Sequence, residues 1–284
     1  MRLTFLGTAA SEGYPNAFCG CAACTAARST GGRNIRRRSS ALVDDSLLID
    51  VGPDLMAASW SLNVPLHGIR YALQTHEHLD HLDPSHFFSR SAGCGVPDVQ
   101  ELTWYSSSGA GAMAAGRLRA GATATLLQEP ELIERLSLRH FPIAPYQSTS
   151  IGPYRVYSVP ANHGDGIEAM LHAIERDGRQ LFYATDTGTL GDEVWQALAR
   201  EGWVFDAVAM DHTFGMAARA RTHLNAEQFR EHVDEMKRFG LIHPGTRIFA
   251  THLAHHSNPL HDELVTFGAE YGYEIAYDGL VVEI

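Results

Sequence analysis

The chain has 284 residues, of which 45% are hydrophobic and 19% are charged, and its formal net charge is −11. This composition is ordinary for a globular protein and excludes a disordered or fibrous chain. The acidic balance argues against a nucleic-acid partner, whose binding surface would be basic. Because no run of about 18 consecutive apolar residues occurs, we expect no membrane span. The length predicts one domain over residues 1–284.

The first predicted elements are strands. Leu3–Leu6 predicts a buried strand rather than a secretory signal, so we expect a cytoplasmic protein. Two apolar runs, Ala41–Val43 and Leu47–Ile49, flank a short polar turn and predict a hairpin. The small, glycine-rich segment Ser106–Ala115 is expected to form a mobile loop.

Helices are clearest in the second half of the chain. Asp192–Arg200 has helical periodicity, and Asn225 is a favourable N-cap with Gln228 three residues later. The dipeptides Asp177-Gly178 and Asp278-Gly279 each predict a hairpin turn between strands. Because strand-like and helix-like runs alternate, the predicted fold class is α/β.

Five apolar strands each end shortly before a polar residue that can bind a metal or a substrate. In sheet proteins with covering helices, functional sites gather at strand ends, so we expect these residues to lie close together. The five runs are Ile69–Leu73 before His76, Tyr154–Val159 before His163, Leu181–Ala184 before Asp186, Phe205–Met210 before Asp211 and His212, and Ile248–Ala250 before His252.

The densest cluster of metal-binding residue types is Thr75-His76-Glu77-His78-Leu79-Asp80-His81. Several imidazole and carboxylate groups converge there whether the segment is extended or coiled. Such a mixed set suits Zn, Mn or Fe better than Ca or Mg. A solvated polar loop with chance histidines is the alternative interpretation.

A metal site rarely closes on one local segment, and three residues that follow separate strands are the natural remote ligands. With the local cluster they offer five imidazoles and two carboxylates, which is too many for one ion and about right for two. We therefore predict a pair of catalytic divalent metals with Asp186 as the bridging carboxylate. The seven residues are His76, His78, Asp80, His81, His163, Asp186 and His252.

A second cluster is the C-x-C-x-x-C motif of Cys19, Cys21 and Cys24, which brings three thiolates into a small volume. Structural zinc requires four closed ligands, so the fourth must come from elsewhere in the chain. His255 is the candidate, and Cys94 is a rival that no second ligand accompanies. We predict one structural zinc, with reduced buried cysteines, or disulfides in an exported protein, as the alternatives.

The run H-x-H-x-D-H behind a strand, followed by single His, Asp and His residues at wide spacing, resembles the metallo-β-lactamase superfamily. The resemblance covers almost the whole chain. It implies an αββα four-layer sandwich with the site at one sheet edge and with a water or hydroxide between two metals, Zn or Mn. One metal would be held by His76, His78 and His163, and the other by Asp80, His81 and His252, with Asp186 between them.

Further motifs resemble one branch of that superfamily, the phosphodiesterases of the carbon–phosphorus lyase pathway. The resemblance implies phosphonate metabolism and hydrolysis of 5-phosphoribosyl 1,2-cyclic phosphate, with the second histidine of T-H-x-x-H on the structural zinc. The motifs are Phe5-Leu6-Gly7-Thr8, Ser11-Glu12-Gly13-Tyr14-Pro15, the C-x-C-x-x-C run, Thr251-His252-Leu253-Ala254-His255 and Tyr277-Asp278-Gly279.

Two residues are predicted to act in catalysis. Asp80 is expected to orient the attacking water as well as to bind metal. His223 lies directly before a predicted helix start and matches the position of a general acid in the phosphodiesterases that the chain resembles. A surface histidine packed near the helix cap is the alternative, and His212 is a weaker candidate for substrate contact. The arginines of the segment Arg33–Arg38 are expected to be solvated rather than to bind a substrate phosphate.

The predicted function is therefore metal-dependent hydrolysis of a small phosphodiester. The expected partner is this small-molecule substrate, and neither a nucleic acid nor a membrane. A lactone or thioester hydrolase is an alternative, because the metal motif does not select phosphorus over carbon. A non-catalytic metal-binding biosynthesis protein is disfavoured by the complete H-x-H-x-D-H motif. The acidic charge argues against a tRNA 3′-processing nuclease, and the absence of a flavin or electron-partner domain argues against a di-iron redox protein. Formation of a homodimer is left open.

Overall fold

The computed structural model describes residues 1–121 and 136–284, and these residues form two seven-stranded mixed β-sheets. In order across the first sheet the strands are Val281–Glu283 (β14), Arg2–Gly7 (β1), Ser40–Val43 (β2), Leu47–Ile49 (β3), Tyr71–Leu73 (β4), Leu102–Ser106 (β5) and Leu138–Pro142 (β6). Across the second they are Glu274–Ile275 (β13), Ile242–Thr251 (β12), Phe205–Asp211 (β11), Arg179–Ala184 (β10), Met170–Arg176 (β9), Tyr154–Pro160 (β8) and Ser148–Ile151 (β7).

Alternating side chains build a layered core. In β10, Leu181 and Tyr183 pack between the two sheets, whereas Phe182 and Ala184 face the outer helices. The αββα sandwich expected from the sequence is confirmed. Ala22–Thr30 (α1) begins within the cysteine motif, with Cys21 as its N-cap and Cys24 in its first turn. Leu55–Leu62 (α2), Ser85–Ser89 (α3) and Ser108–Gly121 (α4) accompany the first sheet, and Asp192–Arg200 (α5), Ala226–Arg238 (α6) and His261–Tyr271 (α7) accompany the second.

The predicted hairpin of β2 and β3 and the turn at Asp177-Gly178 between β9 and β10 are confirmed. The start of α6 is also confirmed, because Asn225 accepts a hydrogen bond from the backbone N–H of Gln228 in a capping box. The hairpin predicted at Asp278-Gly279 is wrong. That turn connects β13 of the second sheet to β14 of the first, so it joins the two sheets instead of pairing two neighbouring strands.

The mobile loop predicted for Ser106–Ala115 is also wrong, because α4 begins at Ser108. Ala110, Ala114 and Leu118 recur every four residues and are buried against the first sheet. Burial of this face, together with the high helix propensity of alanine, outweighs the cost of the glycines in the segment.

The solvated face predicted for the arginines of residues 33–38 is wrong for Arg36, which is 3% exposed. Its guanidinium donates hydrogen bonds to Thr8 Oγ1 at 2.9 Å, to the Ala276 carbonyl at 2.5 Å and to His261 Nδ1 at 2.9 Å. Burial lowers the pKa of Arg36 to about 10. These bonds satisfy the buried charge and connect the N-terminal segment to the last turn of the chain.

Arg37 and Arg38 are half-buried in ion pairs. Arg37 Nη1 lies 3.1 Å from Asp278, and Arg38 binds Asp54 with Nε at 2.8 Å and Nη2 at 2.6 Å. Both side chains are therefore committed to contacts within the fold. Within residues 1–121 and 136–284, no helix combines the length and apolar character needed to cross a membrane.

Candidate active site

Strand topology brings the predicted ligands to one edge of the sandwich. Strands β10, β11 and β12 run parallel, so the residues that follow them share a side of the second sheet. Asp186 and His252, which follow β10 and β12, have positive φ angles of 55° and 59°, and Asp50 after β3 has 63°. Positive φ is costly for residues other than glycine, and such strain gathers at functional sites.

The first ligand group consists of His76, His78 and His163. His78 Nδ1 lies 3.0 Å from His76 Nε2 and 3.0 Å from His163 Nε2. One nitrogen from each ring lies within 4.8 Å of the others. Ligand nitrogens around one tetrahedral ion at zinc–nitrogen distances are separated by about 3.3 Å, so these three rings are spaced to hold one ion.

The second group consists of Asp80, His81, Asp186 and His252, all buried. His81 Nε2 lies 3.3 Å from Asp80 Oδ2 and 3.3 Å from His252 Nε2, and it contacts Asp186 Oδ2. The same Asp186 oxygen lies 3.1 Å from His252 Nε2. The Asp186 carboxylate therefore contacts both histidines of this group.

Asp186 also faces the first group, since Oδ2 lies 3.8 Å from His76 Nε2 and Oδ1 lies 3.9 Å from His163 Nε2. Its Oδ2 atom lies in a buried side chain, next to the ring nitrogens of His81 and His252. Burial disfavours the charge, but His252 and His81 outweigh it and hold the pKa of Asp186 well below its ordinary value. An ionised carboxylate surrounded by imidazole nitrogens of both groups is a donor set that fits a pair of divalent metals.

Outer hydrogen bonds fix the orientation of the rings. Asp50, which the sequence analysis did not assign, is fully buried and accepts a bond from His81, so that His81 Nε2 is left for a metal. The signal was present, because Asp50 directly follows an apolar strand. The four contacts are His81 Nδ1 to Asp50 Oδ2 at 2.6 Å, His76 Nδ1 to Thr75 Oγ1 at 3.0 Å, His163 Nδ1 to the Thr222 carbonyl at 3.1 Å and His252 Nδ1 to Thr213 Oγ1 at 2.8 Å.

His223, the predicted general acid, lies beside both groups, next to His163 and His252. Its Nδ1 is 3.0 Å from Asp211 Oδ2 and 3.4 Å from Asp186 Oδ1, and its side chain is 17% exposed. Burial opposes a charge on the ring, but Asp211 outweighs it and raises the pKa of His223 above its ordinary value. Because the Nδ1–H group of His223 donates a hydrogen bond to Asp211, Nε2 is the nitrogen that can interact with a substrate.

Asp211, one of the ligand-capable residues expected at the strand ends, acquires a specific place beside His223 in the structure. It is fully buried and accepts 3.0 Å bonds from the backbone N–H groups of Thr213 and Leu224 as well as from His223. His212, predicted as a weaker substrate contact, is not available for that role. It is buried, with Nδ1 3.0 Å from Asn258 Oδ1 and Nε2 3.1 Å from the Tyr273 hydroxyl.

The third group consists of Cys19, Cys21, Cys24 and His255, with one ligand atom of each within 4.8 Å of the others. His255 Nδ1 lies 3.8 Å from Cys21 Sγ. The Cys24 backbone N–H and the His255 ring lower the pKa of the Cys21 thiol to about 6, so the metal-binding thiolate is favoured at neutral pH. Cys94, the rival fourth ligand, is exposed and lies outside this group.

Comparison with known proteins agrees with this architecture. A family model described as the beta-lactamase superfamily domain matches residues 46–253, which include all seven residues of the paired groups. The chain therefore belongs to the beta-lactamase superfamily, and the resemblance predicted from its motifs is confirmed. No curated protein matches the chain.

Several solved structures share the fold over the full length of the chain. A new diphosphatase from the PhnP family is 20% identical with a TM-score of 0.75, and it covers 100% of this chain and 97% of its own. Zinc-bound PqqB from Methylobacterium extorquens is 20% identical with a TM-score of 0.69 and full coverage of both chains. The short form of human tRNase Z is 16% identical with a TM-score of 0.66, covering 100% and 99%. These similarities show a shared fold.

Proposed function

We propose that this protein is a binuclear metal-dependent phosphodiesterase that acts on a small substrate. The observation that carries the proposal is the Asp211–His223 pair, at 3.0 Å, beside the carboxylate that faces both metal-binding groups. A hydrolase needs a proton donor when its leaving group is a poorly stabilised alkoxide, and this pair supplies one. Among the proteins of similar fold, a diphosphatase and a tRNase Z also favour chemistry at phosphorus.

The residues divide the work between them. A bound metal pair lowers the pKa of a water toward neutrality and polarises a phosphoryl oxygen. Asp80, whose Oδ2 lies 3.3 Å from His81 Nε2, accepts a hydrogen bond from the attacking water and aligns it with phosphorus. His223 donates the Nε2 proton to the departing oxygen, while Asp211 accepts a hydrogen bond from Nδ1–H and stabilises the protonated ring.

The substrate that we propose is a small cyclic, phosphoribosyl-type diester. Its support is the set of sequence motifs shared with the carbon–phosphorus lyase phosphodiesterases and the net charge of −11, which disfavours docking of a nucleic acid. The tyrosine–aspartate–glycine motif of that set has a structural place here. Asp278 accepts bonds from Thr8 Oγ1 and from the Arg37 backbone, both at 2.7 Å, and holds the N-terminal segment against the last turn.

The proposal is tested by comparing bis(p-nitrophenyl) phosphate with p-nitrophenyl phosphate after the protein is loaded with Zn or Mn. We expect turnover of the diester and little or none of the monoester, and no turnover after the metals are removed with a chelator. A protein that binds two or more metals yet hydrolyses neither compound would contradict the proposal. Turnover of lactones or thioesters would then be measured with the same preparation.

We further propose that Cys19, Cys21, Cys24 and His255 hold a structural zinc. The donor set fits, because three sulfurs and one imidazole nitrogen converge within 4.8 Å of one another. The cluster connects the N-terminal cysteine segment to the loop after β12. His255 lies three residues beyond His252, so the same short segment would position ligands at both the structural and the catalytic sites.

Replacing Cys21 with serine is expected to remove one of the three predicted metals and to lower the thermal midpoint by about 5–10 °C, because a closed zinc site contributes to folding stability. Metal content by atomic emission and thermal denaturation measure both effects. Cys94→Ser is the matched control, since Cys94 is exposed and outside the cluster. An unchanged metal content and midpoint in Cys21→Ser would contradict the structural zinc.

A further inference from the structure

Glu12 has a carboxylate oxygen for which the fold provides no donor. Its side chain is 22% exposed, yet the Oε1 atom is buried and, within the described part of the chain, forms no hydrogen bond. The other oxygen, Oε2, accepts a 3.3 Å bond from Ser11 Oγ. A buried carboxylate oxygen without a donor is rare in native proteins and calls for a partner.

Two neighbouring histidines each bring a ring nitrogen within 4 Å of that oxygen. His255 Nε2 lies 3.8 Å from Glu12 Oε1, and His256 Nε2 lies 3.9 Å from it. The His255 side chain is 10% exposed, whereas that of His256 is 52% exposed, so His256 can exchange its contact for water. The ring of Tyr14 packs edge-on against His255, with centroids 6.4 Å apart, and limits its rotation.

The two nitrogens of His255 therefore face two different groups. Nδ1 faces Cys21 Sγ at 3.8 Å, and Nε2 faces Glu12 at 3.8 Å. When Nδ1 binds a metal, the proton of a neutral imidazole must reside on Nε2, which becomes a hydrogen-bond donor. The only change needed to form the bond is a contraction of about 1 Å, to the usual nitrogen–oxygen separation.

We propose that Glu12 is a positioning residue of the cysteine–histidine metal site. Its carboxylate accepts a hydrogen bond from the Nε2–H group of His255 and thereby selects Nδ1 as the ligating nitrogen. A carboxylate behind a ligating histidine fixes the tautomer and the ring orientation and strengthens the metal–nitrogen bond. This inference rests on the proposed structural zinc and is independent of the reaction at the paired-metal site.

The test measures metal retention in the intact, metal-loaded protein. Zinc release to an excess of a chromogenic chelator is followed in Glu12→Ala, Glu12→Gln and the unaltered protein, and Cys21→Ser identifies the phase that belongs to this site. We expect Glu12→Ala to release that zinc about 10–100-fold faster. Glu12→Gln is expected to restore most of the retention, because the amide oxygen still accepts a hydrogen bond.

A spectroscopic measurement separates positioning from metal ligation. With cobalt in the site, the thiolate-to-cobalt absorption of Glu12→Ala should stay near that of the unaltered protein, because all three thiolates and His255 remain bound. Ser11→Ala, which removes the contact to Glu12 Oε2, is the matched control and should release zinc at the original rate.

Three results would overturn the role of Glu12. The first is release from Glu12→Ala at the rate of the unaltered protein. The second is equally fast release from His256→Ala, which would show that Glu12 acts through that ring. The third is retention of zinc in His255→Ala but not in Glu12→Ala, which would make Glu12 itself a ligand. If the unaltered protein holds only two metals, the proposal of a structural zinc is contradicted, whatever the behaviour of the Glu12 variants.

Discussion

Replacement of Asp186 by alanine is expected to abolish turnover of phosphodiesters while the fold remains intact. The Asp186 carboxylate lies 3.1 Å from His252 and within 3.9 Å of His163, so it faces both ligand groups. Without it, the residues that would hold the two metals would lose the carboxylate placed to be shared between them. Because a metal pair supplies several kcal/mol of transition-state stabilisation, we expect a loss of at least about 10³-fold in kcat.

The measurement is kcat for bis(p-nitrophenyl) phosphate, accompanied by metal content and circular dichroism of the same preparation. Asp192→Ala is the matched control, because that aspartate is 62% exposed and pairs with Arg238 on the surface. Its turnover should equal that of the unaltered protein. Turnover near that level in Asp186→Ala would exclude the bridging role.

The ligand groups could be predicted because their chemistry is recorded locally in the sequence. Each remote ligand follows an apolar strand, as His163 follows β8 and His252 follows β12. The ends of parallel strands lie at one edge of a sheet. Residues that follow such strands can therefore be predicted to lie close together even when no side-chain contact is known. The structure brings all seven residues into two groups, and their assignment as ligands remains a prediction.

The residues that support the ligands were not predicted, since their importance arises only from tertiary contacts. Asp50 is 31 positions from His81, and Glu12 is 243 positions from His255. An isolated acid in a sequence is most often solvated, and although the strand before Asp50 places it at a strand end, the sequence does not identify the ring that it contacts. The same argument applies to Asp211, which stands behind a predicted strand but acquires its role from His223.

The burial of Arg36 shows the same limit in a charged segment. A run of arginines is more often exposed, so the sequence favoured a solvated face. The fold instead surrounds Arg36 with three acceptors, including His261 in α7. Two of those acceptors, Ala276 and His261, come from the opposite end of the chain, and their approach to Arg36 depends on how the last turn packs against the first strand.

Loss of the His223 imidazole is expected to depend strongly on the leaving group. A general acid contributes about 10²–10⁴-fold where the departing oxygen needs a proton. We therefore expect His223→Ala to reduce kcat by that factor for a cyclic ribosyl phosphate or another alkyl diester. For bis(p-nitrophenyl) phosphate, whose phenolate departs without a proton, kcat should fall less than about tenfold. The ratio of the two losses, measured with the same metal loading, isolates the proton-transfer role.

Asp211→Asn extends this prediction to the partner of the ring. Asparagine preserves the shape of a side chain that accepts bonds from Thr213 and Leu224, but it removes the charge that favours a protonated His223. We expect Asp211→Asn also to lower kcat more for alkyl diesters than for bis(p-nitrophenyl) phosphate. The fall in kcat should be smaller than in His223→Ala. Because His256 is exposed and outside both ligand groups, His256→Ala serves as the matched histidine control. Equal losses on both leaving groups in His223→Ala would mean that the ring shapes the metal site rather than donating a proton.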